Sequence, residues 1–85
     1  MTNELLRNCI VKILYRVHPV PMRARPLAAE CEIALGTVLS KTDFESEIAF
    51  LKRERLLANG RDGILGEEQY WLTDLGQAEA SRFFG

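Results

Sequence analysis

Apolar residues return every three to four positions at the start of the chain. Over residues 3–17, NELLRNCIVKILYRV, Leu5, Leu6, Cys9, Ile10, Ile13, Leu14 and Val17 trace one wide stripe. That spacing predicts an amphipathic helix, with Thr2 or Asn3 as its cap. Val11 and Tyr15 lie off the stripe, four residues apart, and form a second, smaller apolar patch on the same helix. His18-Pro19-Val20-Pro21 ends it, because a residue that precedes proline is driven out of the helical region. Residues 26–35, PLAAECEIAL, predict a shorter second helix with Pro26 in its first turn and Gly36 as its C-terminal cap. Leu27, Ala28, Cys31 and Leu35 face inward on it; Glu30 and Glu32 face out. Thr42-Asp43-Phe44-Glu45 has the form of a capping box and opens a third helix, 43–55. Its buried face is Phe44, Ile48 and Leu51, and Ser46, Ala49, Phe50 and Arg53 lie on the far side. Val38 and Leu39, in the loop from Gly36 to Lys41, are expected to pack into the core.

The period then changes. Leu56-Leu57-Ala58 and Tyr70-Trp71-Leu72 are two strand candidates, with turn signals at Asn59-Gly60 and Asp62-Gly63 between them. They predict a hairpin with a tip of roughly ten residues. Thr73 caps a last helix, Asp74 to about Phe83. The order is helix, helix, helix, strand, strand, helix. This is a mostly helical α+β class, one domain over residues 1–85, built as a three-helix bundle with a C-terminal hairpin and a closing fourth helix. Leu14, Ile48, Leu51, Leu57 and Trp71 are the expected core.

The segment 48–80, IAFLKRERLLANGRDGILGEEQYWLTDLGQAEA, resembles the second half of the winged helix-turn-helix superfamily, in its small bacterial or phage-type form. Leu51, Arg53, Leu56 and Leu57 match the leucine-rich, basic passage from a third helix into a first wing strand. Tyr70, Leu72, Thr73 and Gly76 match the aromatic return strand, the Leu-Thr step and the glycine of a closing helix. The resemblance covers nearly the whole chain. It implies a DNA-binding winged helix protein, a small transcriptional regulator in the cytoplasm. The third helix would lie in the major groove of double-stranded DNA, with the hairpin 56–72 on the backbone or minor groove. On that reading the contacts fall to Lys41, Ser46, Lys52 and Arg53 on and beside the third helix, to Arg61 in the hairpin, and to Arg23 and Arg25 before the second helix.

The charge pattern cuts both ways. Net charge is −1 over 85 residues, but residues 1–25 carry +4, 26–50 carry −4, 51–61 carry +3 and 62–85 carry −4. Asp43, Glu45 and Glu47 open the third helix, and Asp62, Glu67 and Glu68 lie in the hairpin tip; near phosphate, like charge lowers affinity. Phe50 on an outward face suits a protein partner better than a DNA groove. The alternative is therefore a protein-interaction module on the same scaffold, without DNA binding. Val11, Tyr15, Phe50, Phe83 and Phe84 are its candidate contacts, and a homodimer through the first and last helices would use the same patches.

Composition adds exclusions. Hydrophobic residues make up 47% and charged residues 27%, an ordinary globular balance. No apolar run approaches the roughly 18–20 residues of a membrane span, and the start, MTNELLRN, lacks secretory features. Gly60, Gly63 and Gly66 lie in a hairpin tip with no G-K-[ST] following, so they read as turn residues rather than a phosphate loop. Glu67 and Glu68 are adjacent, so on a strand they point to opposite faces. One histidine, His18, has no acid or nucleophile near it and reads as a helix C-terminal residue interacting with the dipole. Cys9 and Cys31 show no metal spacing and read as buried thiols. No enzyme, metal or cofactor is expected.

Overall fold

The computed structural model describes residues 4–84. Helices α1 (Glu4–Val17), α2 (Ala24–Leu35), α3 (Lys41–Arg53) and α4 (Asp74–Phe84) alternate with strands β1 (Met22–Arg23), β2 (Leu57–Arg61) and β3 (Glu68–Leu72). The strands form an antiparallel sheet in the order β1-β3-β2. The expected mostly helical α+β layout holds, with β1 as an addition. A two-residue strand after a proline leaves no alternation to read. The expected caps Thr2 and Asn3 lie outside the described residues.

Helix α1 is the hub: it touches α2, α3, α4 and β3. Leu6, Ile10 and Leu14 from α1, Leu27 and Cys31 from α2, and Leu51 from α3 are fully buried. Phe44, Ile48, Leu57, Tyr70, Leu72 and Ala80 complete the core. Leu5, placed on the α1 stripe by spacing, is instead exposed at the end of the helix. Burial keeps the Cys31 thiol protonated, with its pKa pushed up to about 12, Cys9 beside it adding to the effect.

Gly36 ends α2 as expected: its φ of 67° is left-handed, and its N–H donates to the Glu32 carbonyl at 2.8 Å. Helix α3 starts earlier than the capping-box reading. Ser40, not Thr42, is the cap, and its Oγ accepts the Asp43 N–H at 3.0 Å. Ser40-Lys41-Thr42-Asp43 satisfies the same pattern two residues upstream. Of the two loop residues expected inside, only Leu39 packs on the core; its N–H donates to the Glu32 carboxylate at 2.9 Å. Val38 is 87% exposed.

The hairpin is tighter than its sequence suggested. Pairing runs from Leu57↔Leu72 to Arg61↔Glu68, which leaves residues 62–67 as the tip. Tyr70 and Leu72 point to the core. Trp71 therefore faces the other way by strand alternation and is half-buried, against expectation. Its ring lies across Gly60, where an added Cβ would stand 3.0 Å from it.

Candidate nucleic-acid interface

Helix α3 presents Thr42, Glu45, Ser46, Ala49, Lys52 and Arg53 to solvent, a stripe set by the burial of Phe44, Ile48 and Leu51 on the opposite side. Ala49 at its middle is small, so the polar residues before and after it stand clear. The two basic residues lie in the last turn, where they also complement the helix dipole. Arg55, just beyond, is exposed and is the one described non-glycine residue in the left-handed region, with φ 62°. The basic run Lys52-Arg53-Glu54-Arg55 made it visible in sequence, yet it was not among the expected contacts.

Two expectations about α3 are overturned. Glu47 does not face outward with Asp43 and Glu45. It is buried, and its carboxylate accepts the Arg7 Nε–H of α1 at 2.9 Å. Phe50 is not an outward hydrophobe: it packs partly against the core, and the Arg7 guanidinium stacks 3.8 Å above its ring. One arginine, 40 residues away in sequence, explains both.

The wing acids are also used internally. Asp62 Oδ1 accepts the Ile64 and Leu65 N–H groups at 2.7 and 3.1 Å, and Asp62 Oδ2 pairs with Arg23. Those backbone bonds, with Arg23, hold its carboxyl below the usual aspartate range. Glu67 lies 3.7 Å from the same Arg23. Glu68 accepts the Tyr70 hydroxyl at 3.1 Å and stands 3.9 Å from Arg61. Burial, then this bond, pushes the Tyr70 pKa up to about 12. The tip that results exposes Ile64 and Leu65, an apolar pair the sequence reading passed over.

The expected basic contacts thus divide. Arg23 is tied into the wing. Lys41 is exposed and sits 3.8 Å from Glu45. Arg61 donates to the Gly66 carbonyl at 3.1 Å while its side chain remains mostly exposed. Arg25, with Glu45, Glu67, Glu68 and Tyr70, borders an open cleft of about 490 Å³ between α2, α3 and the wing. Ser46, Lys52 and Arg53 share the α3 stripe. Of the expected partner contacts, Val11 and Tyr15 pack partly against the core, while Phe83 is 79% and Phe84 38% exposed at the end of α4. His18 caps nothing: its ring meets the Gln77 amide, 2.6 Å from Nδ1, and so ties the end of α1 to α4. No described helix is long and apolar enough to cross a membrane.

No protein-family model matches the chain, nor does any curated protein. Solved structures do. A PadR-like transcription factor from Bacteroides fragilis superposes with a TM-score of 0.74 at 20% identity, over 93% of this chain and 76% of that one. The circadian clock associated protein Pex from Anabaena gives 0.67 at 22%, over 91% of this chain and 71% of its own. A mutant of MepR from a multidrug-resistant S. aureus clinical isolate gives 0.75 at 15%, and there this chain spans only 54% of the neighbour's length. With three helices, a hairpin wing closed by a short first strand, and these likenesses, the chain has the winged helix fold.

Proposed function

We propose that this chain is a double-stranded DNA-binding module, with α3 in the major groove and the hairpin tip against the neighbouring backbone. The observation that carries the reading is the solvent-facing α3 stripe. Ser46, Lys52 and Arg53 are displayed there, while Glu47, Asp62 and Glu67, which would repel phosphate, are engaged by Arg7 and Arg23. Asp43 and Glu45 remain exposed at the start of α3. Contact therefore falls on its C-terminal half, with Arg53 and Arg55 meeting phosphate or a guanine edge. Arg61 and Arg25 reach phosphates from the wing and from α2. The neighbours described as transcription regulators support a role in regulating transcription.

A labelled mixed-sequence duplex, titrated with protein and followed by fluorescence anisotropy at rising salt, tests this. Binding that weakens with a slope of about 0.9 per phosphate contact is the expected result. Absence of binding at low salt refutes the reading. The second reading, a protein-docking module, is favoured by Ile64 and Leu65 at the tip of the wing, 92% and 63% exposed. Under it, Ile64→Asp abolishes partner capture while Arg53→Ala has no effect.

A further inference from the structure

A second site lies on the opposite flank of α3's buried partner. Val11 of α1, Leu51 at the end of α3, Leu56, and Ala80, Phe83 and Phe84 of α4 line a groove of about 120 Å³. That volume approaches the ~150 Å³ apolar cavity that holds one benzene ring. Arg7 also lines the groove. Its Nε is committed to Glu47 and its face to Phe50, yet its Nη2 is buried with no hydrogen-bond partner. A buried, unmatched donor is costly to a fold unless something accepts from it. The remaining charges bordering the groove are Glu79, 3.2 Å from Arg82, and Lys12, whose ammonium lies 6.0 Å from the centroid of the Phe84 ring. With Arg7 matched to Glu47 and Arg82 to Glu79, Lys12 leaves one positive charge in surplus.

We propose that this groove binds a small aromatic carboxylate. Its ring packs between Val11 and the Phe83–Phe84 pair, and its carboxylate accepts from Arg7 Nη2, with Lys12 balancing the charge. Because Arg7 grips α3 through Glu47 and Phe50, occupancy is felt on the helix assigned above to DNA, whether or not that assignment holds. The site is read without DNA, so its failure and the failure of DNA binding are separate results.

The test is a ¹H–¹⁵N titration of the full chain with sodium benzoate, and in parallel with neutral benzyl alcohol. A ligand of this size is expected to saturate at about millimolar Kd. Shifts should map to Val11, Ala80, Phe83 and Phe84 and extend to Glu47 and Phe50. Benzyl alcohol should bind about tenfold more weakly. Phe83→Ala, at an exposed position, should weaken benzoate without changing the melting temperature. The double variant Arg7→Met with Glu47→Met removes the donor without stranding a buried charge, and should abolish the preference for benzoate over the alcohol. Equal affinity for the two probes overturns the proposal. So does an absence of saturable shifts in this groove. Ligand-free shifts of the same amides with protein concentration would put a second copy of the chain in the groove, and overturn it as well.

Discussion

A Cβ on Gly76 would stand 2.0 Å from the carbonyl oxygen of Leu56. That oxygen is fixed, because it also accepts the Thr73 N–H at 3.1 Å. Helix α4 therefore starts against the backbone that leads into β2, and only glycine permits the approach. On an exposed helix, Gly→Ala would stabilise by up to about 1 kcal/mol. Here the contact is with backbone, which cannot swing aside, and overpacking costs about 3 kcal/mol. Gly76→Ala is expected to lower stability by the difference, roughly 2 kcal/mol, measured by urea denaturation.

Thr73 holds the same junction from the other side. Its Oγ1 accepts the Gly76 N–H at 3.0 Å and donates to the Arg55 carbonyl at 2.6 Å. Valine keeps the shape and removes both bonds. Thr73→Val should cost about 1–2 kcal/mol, and Thr73→Ser should recover most of it in the same denaturation experiment.

The Arg7–Glu47 pair is asymmetric toward mutation. Glu47 is 3% exposed, so Glu47→Ala strands the arginine and is expected to cost about 3 kcal/mol. Replacing both partners by methionine removes the two charges together and should fall well short of that loss. A double-mutant cycle in thermal melts separates the two cases; equal losses would show that the pair contributes through packing alone.

In DNA binding, Lys52→Ala and Arg53→Ala should each weaken the complex across sequences and each lower the salt slope by about 1. A change at Arg53 confined to one base position would instead make it a base reader. Arg23→Ala should act indirectly by releasing Asp62 and Glu67, so its effect on the wing should appear in free protein as altered amide shifts at Ile64 and Leu65.

Tyr70 gives a pH signature. Its pKa rises from 10.0 to about 12 on folding, through burial and the bond to Glu68. The unfolded chain loses that proton first. The stabilisation is thus complete below about pH 10 and declines as pH rises from there to about 12. Absorbance titration of phenolate in native protein should show one tyrosine ionising late, and Tyr70→Phe should remove that late step.

The fold was legible because its signals are local. The α1 stripe, the Gly36 cap, the turn glycines and the Thr73 start each depend on residues within one or two turns of each other. The site was less so, because what decides it is long-range. Nothing near Glu47 in sequence announces Arg7, and a lone acid on a helix looks solvated until its partner is placed. Trp71 and Tyr70 show a different limit: alternation says that neighbours face opposite ways, but not which of two aromatics turns inward. The hairpin tip looked acidic because Asp62, Glu67 and Glu68 were counted without Arg23, which reaches them from β1, the one strand too short to foresee.

The junction of Arg55, Leu56, Thr73 and Gly76 also constrains how such a chain can diverge. Two carbonyls, one hydroxyl and a missing methyl tie the exit from α3, the root of the wing and the start of α4 at a single point. The hairpin can gain or lose residues between Asp62 and Glu67 without disturbing that knot, so tip length is free to drift with the target it meets. An insertion between Arg53 and Leu57 would shift three elements together. Lineages of this fold should therefore vary in the reach of the wing and stay uniform in the distance from the reading helix to its base.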